Sequence, residues 1–124
     1  MKNALNVDER RRDARVEDAV GFAMKVVAGD AAGSFDYSAI HMTRNISMGG
    51  VCFRDRMGLP RNTRVEMRLA LRTINKVVSQ TGRVCWTIPD DGDSYEMGVE
   101  FVSASAPDKA AWARYVHQSR ETGS

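Results

Sequence analysis

The side chains best suited to ligand chemistry form a cluster near the N-terminus. Arg10, Arg11, Arg12 and Arg15 place four guanidinium groups within six residues. A guanidinium group is planar, so it can hold a phosphate at two points, bind the O6 and N7 edge of guanine, or stack on the face of a base. The cluster alone is therefore compatible with contact to a phosphate or nucleotide ligand, and does not establish it. A solvated arginine-rich tail is the alternative at this point.

A second group of polar residues lies between two apolar segments, in the sequence Asn-Ile-Ser-Met-Gly-Gly. Asn45 offers one acceptor and two donors to a base edge, and Ser47 offers a hydroxyl to a base or a phosphate. Gly50 has no Cβ atom, so a ligand could approach its backbone closely. The same residue types are typical of a tight turn in which Asn and Ser bond their own backbone. The segment alone leaves a binding site and a structural turn as alternatives.

The cysteines and histidines form no recognisable chemical pattern. Cys52 and Cys85 are too few for a disulfide framework and too far apart in sequence for a metal-binding pair. Each lies in an apolar, strand-like segment, which indicates a buried or half-buried free thiol. His41 and His117 complete no zinc pattern, and no nucleophile with an acid–base partner is evident. The sequence therefore predicts no metal, no cofactor and no catalytic activity.

The composition is that of an ordinary globular domain. The 124 residues are 43% hydrophobic and 27% charged, which fits one domain with a substantial core. No segment approaches the roughly 20 apolar residues needed to cross a bilayer, and no apolar run follows the charged N-terminus as in a secretory signal. The net charge of +2 is too small to indicate bulk nucleic-acid binding. We therefore expect a cytoplasmic protein that binds neither membrane nor nucleic acid.

Six segments alternate between apolar and polar residues, which is the period-two pattern of half-buried strands. They cover about residues 20–26, 35–44, 51–53, 65–71, 77–88 and 95–102. The clearest of them places four residues on one face: Val65, Met67, Leu69 and Leu71. In the second segment, the alternation predicts that Ile40 and Met42 share one face.

One segment near the C-terminus has helical periodicity. Its apolar residues are Ala111, Trp112, Tyr115 and Val116. Either Ser105 or Asp108 can cap its N-terminus, and Gly123 within a polar end predicts fraying after about Ser119.

Six strands separated by turns indicate an antiparallel all-β domain, either a barrel or a sandwich. A small sheet that must hide its edges usually closes on itself. We therefore predict an all-β fold, a six-stranded antiparallel β-barrel with a C-terminal α-helix at one open end. Residues 1–18 are predicted to form a flexible arm, residues 19–120 the barrel domain with its helix, and residues 121–124 a disordered tail.

Taken in order along the chain, these segments resemble the PilZ domain family. The resemblance depends on Arg11-x-x-x-Arg15, Asn45-x-Ser47-x-x-Gly50, Gly82-Arg83-Val84, and Met97-Gly98-Val99-Glu100-Phe101 before the terminal helix. It covers about residues 9–119. Each motif is short, whereas the ordered set on a six-stranded β domain of this length is specific.

The resemblance implies a bacterial receptor that binds cyclic di-GMP and catalyses no reaction. It implies ligand contacts from six residues: Arg10, Arg11, Arg15, Asn45, Ser47 and Gly50. The paired arginines would hold the phosphates and guanines, the asparagine would bond a guanine edge, and the serine and glycine would complete the floor. The arginine that precedes the pair occupies a position that favours two stacked ligand molecules. Extra residues at about 29–34 lengthen the chain before the floor and could contact a protein partner.

Two interpretations stay open. Trp86 could stack on a guanine, but its phase with Val84 and Ile88 favours a place in the core. An adaptor with this barrel that binds a protein partner and no ligand is the alternative function, although it has no need of Arg11 and Arg15 at that spacing. The downstream partner could be a motility, polysaccharide or secretion component. The protein could be a monomer or a homodimer.

Overall fold

The computed structural model describes residues 18–28 and 41–123, and the structural statements below concern those residues. They form six strands, a short 3-10 turn at Arg72–Ile74 and one helix. The elements in chain order are β1 (Gly21–Ala28), β2 (His41–Ser47), β3 (Gly50–Asp55), β4 (Arg64–Leu71), β5 (Lys76–Pro89), β6 (Tyr95–Ser103) and α1 (Ala106–Gly123). The helix is not long and apolar enough to cross a membrane.

The six strands close into a barrel in the order β1-β2-β3-β6-β5-β4, and all neighbours are antiparallel. Closure depends on β1, which pairs with β4 along its length and with β2 at only two positions, Gly21 with Met42 and Phe22 with His41. The predicted six-stranded antiparallel barrel with a C-terminal helix is confirmed.

Side chains that alternate inward along the strands fill the barrel. The predicted inner face of β4 is fully buried, with Val65, Met67, Leu69 and Leu71 each at most 1% exposed. The aromatic residues Trp112 and Tyr115 of α1 join the same core cluster from the helix side. Because full burial of such a side chain stabilises a fold by about 1.5–3 kcal/mol, this continuous core holds the barrel and the helix together.

Both ends of α1 have identifiable partners. Ser105 is the N-terminal cap, because its Oγ accepts a hydrogen bond from the Asp108 backbone N–H at 3.2 Å. The Asp108 carboxylate instead accepts a hydrogen bond from the backbone N–H of Ser79 at 3.0 Å, which ties the first turn to β5. The helix continues to Gly123, past the predicted fraying point, and Arg120 in its last turn suits the negative end of the helix dipole.

Two β-bulges change the direction of side chains in ways that simple alternation did not predict. In β2 the register shifts between Thr43 and Asn45, so Arg44 is an extra residue. Thr43 therefore faces the core, and Met42 is 51% exposed. Ile40, which was predicted to share a face with Met42, lies outside the described residues, so the shared face stays a prediction.

The second bulge lies in β5. The register shifts between Val84 and Trp86, so Cys85 is the extra residue. Val84 is fully buried, whereas Ile88 is 49% exposed. The side chains after the bulge have therefore turned to the opposite face, and the predicted inward phase of Trp86 and Ile88 is wrong.

Candidate functional site

The two bulges place Asn45 and Trp86 on the same surface of the barrel. Asn45 pairs with Cys52, Cys52 with Gly98, and Gly98 with Trp86. Directly opposed residues in an antiparallel sheet share a face. The flanking residues Phe53 and Met97 face the core, so the row of four lies on the outside. We call the outside of β2, β3, β6 and β5 the outer face.

Gly98 gives Trp86 a flat place on the outer face. A Cβ atom at Gly98 would overlap Nε1 and Cε2 of the Trp86 indole, so the ring lies directly against the glycine backbone. Trp86 is half-buried in this position and does not belong to the core cluster. Sequence reasoning had noted this residue but favoured a core role, because nothing in the sequence marks Cys85 as an extra residue.

Ser47 and Gly50 close the turn between β2 and β3, at the end of the outer face. The Ser47 hydroxyl is fully buried and donates a hydrogen bond to the Gly50 carbonyl oxygen at 3.4 Å. A Cβ atom at Gly50 would overlap the carbonyl oxygen of Val99, so the close approach of β3 to β6 requires glycine here. The structure therefore gives both residues a structural role, while their contact with a ligand stays a prediction. We call Asn45, Ser47 and Gly50 the shelf.

Helix α1 contacts the shelf through the buried side chain of Trp112. The Trp112 indole N–H donates a hydrogen bond to the Ser47 carbonyl oxygen at 2.9 Å. The Trp112 ring also packs edge-on against Phe101 of β6, with ring centroids 5.3 Å apart. Because Trp112 is only 2% exposed, this bond forms away from water and fixes the turn relative to α1.

The predicted ligand-binding arginines, Arg10, Arg11 and Arg15, lie outside the described residues. The described chain begins at Asp18, three residues after the last of them, and Asp18 is held firmly. Its carbonyl oxygen accepts a hydrogen bond of 2.6 Å from the Thr43 hydroxyl on β2. Asp18 therefore lies beside Thr43 of β2, and Thr43 precedes Asn45 by two positions in the sequence.

The Asp18 side chain is anchored to the helix. Its Oδ2 accepts hydrogen bonds from the Tyr115 hydroxyl and the Ser119 hydroxyl, each at 3.0 Å. Burial, together with the bond to the Asp18 carboxylate, raises the pKa of Tyr115 to about 12. Tyr115 therefore stays a neutral donor throughout the physiological pH range.

Charged residues surround the row, and sequence reasoning had not singled them out. Arg83 pairs with Glu100 at 2.6 Å on one side. On the other side Asp90 accepts a hydrogen bond from Arg54 at 2.8 Å and lies 3.4 Å from Arg44. The Asp91 backbone N–H and the Arg54 guanidinium lower the pKa of Asp90. Each of these arginines is thus already paired with a carboxylate.

The thiol of Cys52 occupies the middle of the row and confirms the expected buried free cysteine. It donates to Oε2 of Glu96 at 3.0 Å. Within residues 18–28 and 41–123, no three His, Cys, Asp or Glu side chains converge to form a metal site.

The fold has known counterparts. The family model described as "PilZ domain" matches residues 9–118. No curated protein matches the chain. The solved structure of the Bacillus subtilis inhibitor of motility is similar with a TM-score of 0.71 and 15% identity, over 93% of this chain and 53% of that chain. This chain therefore spans about half the length of the Bacillus protein.

Two further structures share the fold. The PilZ domain of CeSA from a cellulose-synthesizing bacterium has a TM-score of 0.55 and 17% identity, over 84% of this chain and 95% of that one. A tetrameric PilZ domain protein from Xanthomonas campestris has a TM-score of 0.54 and 14% identity, over 68% and 46%. Because these identities are low, the structures establish the fold alone. The family model covers most of the sequence, and the chain therefore belongs to the PilZ domain family.

Proposed function

We propose that the protein is a non-enzymatic, cytoplasmic receptor for cyclic di-GMP, which binds on the outer face between Asn45 and Trp86. The PilZ domain is a receptor family for this ligand. One observation carries the placement: the half-buried indole of Trp86 lies in the same cross-strand row as Asn45, with Gly98 between them. The indole offers a flat apolar surface and the asparagine offers hydrogen bonds, which are the two requirements of a purine site.

The row has the dimensions and chemistry of a site for a flat, two-base ligand. Three strand spacings separate Asn45 from Trp86, or about 14 Å along the sheet. The amide of Asn45 can bond the edge of one guanine, and the Trp86 ring can stack on a guanine face, a contact worth about 1–3 kcal/mol per base. Gly98 lies beneath the indole and Cys52 is only 2% exposed, so neither residue projects between the asparagine and the ring.

The ligand's two phosphate charges need cations, and the arginines described on the outer face already have carboxylate partners. Arg44, Arg54 and Arg83 are paired with Asp90, Glu96 and Glu100 there. We therefore assign phosphate and guanine binding to the N-terminal arginines, Arg10, Arg11 and Arg15, whose guanidinium groups suit both.

The anchoring of Asp18 supports the meeting of these arginines with the shelf. Arg15 precedes Asp18 by three residues, so covalent geometry limits their Cα atoms to about 11 Å apart. Asp18 itself is bonded to Thr43, beside the strand that carries Asn45. When the arginine segment closes over the ligand it loses chain entropy, and this ordering is a means by which a receptor without catalysis can signal.

Calorimetric titration of cyclic di-GMP against the wild type, Arg15→Ala and Asn45→Ala tests the proposal. We expect binding to the wild type and a loss of at least about tenfold in affinity for Arg15→Ala, because charge-assisted hydrogen bonds contribute about 1.5–3 kcal/mol. Asn45→Ala should lose about 2- to 12-fold, because a bond from a neutral amide contributes about 0.5–1.5 kcal/mol. GTP and a short single-stranded oligonucleotide, each at two salt concentrations, control for a non-specific polyanion site. Absence of heat from the wild type, or equal heats from all three proteins, would contradict the proposal.

An adaptor that uses this barrel only for protein contacts is the second candidate. It is supported by the structural similarity to an inhibitor of motility, which also makes a motility component a candidate partner. A wild-type protein that binds no cyclic di-GMP would favour this candidate. Oligomeric state, monomer or homodimer, is to be measured by sedimentation in the same experiments.

A further inference from the structure

A groove separate from the outer face runs between α1, the end of β6 and the β2–β3 turn. Its volume is about 560 Å³. Its walls include Met48, Val102, Ala110 and Ala113, and Trp112 lies at its base. Met48 is 44% and Val102 41% exposed, although both are large apolar residues. The groove therefore presents apolar surface that the described barrel does not bury.

The helix wall of the groove is shaped to receive another helix. Ala106, Ala110 and Ala113 follow the i, i+4, i+7 spacing, so their methyl groups form one stripe along α1. All three line the groove. Small side chains on one helix leave room for the larger apolar side chains of a second helix, which pack as ridges into grooves.

The charges beside the stripe indicate the chemistry of the partner. At 100° per residue, Lys109 lies on one side of the alanine stripe and Arg114 on the other, and both are exposed. At the same spacing Asp108 lies on the opposite side of the helix from the alanine stripe, where its carboxylate accepts a hydrogen bond from the Ser79 backbone N–H. The rim is therefore positively charged, and a second copy of this chain would bring like charges together.

We propose that this groove is the docking site for an amphipathic helix of a partner protein, with leucine-type residues on one face and Asp or Glu beside them. Binding of an amphipathic helix by its apolar face in a groove is a recurrent mode of recognition. The acidic flanks would lie against Lys109 and Arg114, while the apolar face would cover Met48 and Val102.

The groove is linked to the shelf, and this part of the inference rests on the proposed function. Met48 and Gly49 form the turn that joins Ser47 to Gly50, so the groove wall and the shelf are one segment of chain. The Trp112 indole at the groove base also donates to the Ser47 carbonyl oxygen. A ligand that shifts the shelf therefore shifts the groove, and by linkage we expect cyclic di-GMP to change partner affinity by about fivefold or more.

Nuclear magnetic resonance of the full, nitrogen-15-labelled chain tests the docking site directly. The probe is a synthetic 18-residue amphipathic helix with leucines on one face and glutamates on the other, and a matched peptide carries lysine in place of every glutamate. We expect the acidic peptide to shift the amide signals of Met48, Val102 and Ala110 at low salt. The lysine peptide should leave them unchanged.

Two variants locate the contact. Lys109→Glu with Arg114→Glu should weaken binding of the acidic peptide about tenfold and allow the lysine peptide to bind. Ala110→Trp should fill the groove and abolish binding of the acidic peptide. Arg61→Glu, a charge reversal at an exposed loop position, is the matched control and should not change the binding of either peptide.

The outcomes separate this inference from the proposed function. The docking site would be overturned if the acidic peptide failed to shift the groove signals, or if it bound wild type and Ala110→Trp equally. It would also be overturned if the wild type self-associated in sedimentation and Ala110→Trp did not. Equal peptide affinity with and without saturating cyclic di-GMP would overturn the link to the shelf. If calorimetry shows no cyclic di-GMP binding but the acidic peptide still occupies the groove, the proposed function fails and the docking site stands.

Discussion

The substitution Gly98→Ala tests the role of Trp86 without altering any side chain that could bond the ligand. The new methyl group would occupy the space of Nε1 and Cε2 of the indole, so the ring must move off the sheet. If a guanine stacks on that ring, the displacement removes most of a contact worth about 1–3 kcal/mol. We therefore expect Gly98→Ala to weaken cyclic di-GMP binding by about 5- to 150-fold.

The stability of the variant should change much less than its affinity. Overpacking costs about 1–3 kcal/mol in a core, but Trp86 is only half-buried and can swing outward. Replacing glycine by alanine within a strand also raises the free energy of unfolding by about 0.5–1 kcal/mol, because the unfolded chain has less conformational freedom to lose. The net loss in the free energy of unfolding should therefore be below about 2 kcal/mol, measured by urea denaturation beside the calorimetric titration.

Gly58→Ala is a matched control. A Cβ atom at Gly58 would meet the ring of Tyr95 at 2.8–3.0 Å, so this variant also displaces an aromatic ring, but in the loop after β3. It should leave the affinity for cyclic di-GMP unchanged. The reasoning is refuted if Gly98→Ala and Trp86→Ala both bind the ligand like the wild type, or if Gly58→Ala loses as much affinity as Gly98→Ala.

Three further predictions concern the elements that hold the site. Gly50→Ala should destabilise the barrel by about 3 kcal/mol in urea denaturation, because its methyl group would overlap the β6 backbone. Trp112→Phe should cost about 1–3 kcal/mol, since the Ser47 carbonyl oxygen loses its buried donor, and should weaken cyclic di-GMP binding in calorimetry. The phenol of Tyr115 should titrate near pH 12 in ultraviolet absorbance, and nearer its usual value in Asp18→Ala. Because the folded pKa is raised, the unfolded chain loses this proton first, and wild-type stability should fall as pH rises from about 10 through about 12.

The features that sequence analysis predicted are those governed by a regular period. The inner face of β4, from Val65 to Leu71, follows strict alternation and is buried as predicted. Trp112 and Tyr115 follow helical spacing and pack into the core from α1. The six alternating segments also predicted a closed sheet, because closure is one of the few ways in which a small sheet can cover its edges.

The features that it missed depend on one extra residue or on long-range pairing. Neither Arg44 nor Cys85 differs in type from an ordinary strand residue, so the bulges leave no trace in the pattern. The consequence is large, because every side chain beyond a bulge changes face, and Trp86 and Ile88 were assigned to the wrong side. The ion pair of Arg54 with Asp90 could not be predicted either, since it joins residues 36 positions apart.

Deletion of Cys85 tests whether the bulge is what places Trp86 outside. If Cys85 is an extra residue, its removal leaves Val84 inward and Trp86 outward opposite Gly98, so the register of β5 and β6 is kept. We then expect a folded barrel in which acrylamide still quenches Trp86 while the 2%-exposed Trp112 is protected. If β5 instead had no bulge, Trp86 would be a core residue and the same deletion would move it to the outside of the barrel. The free energy of unfolding would then fall by about 3–5 kcal/mol. A loss of that size in urea denaturation would show that Trp86 belongs to the core, and would remove the stacking surface from the proposed ligand site.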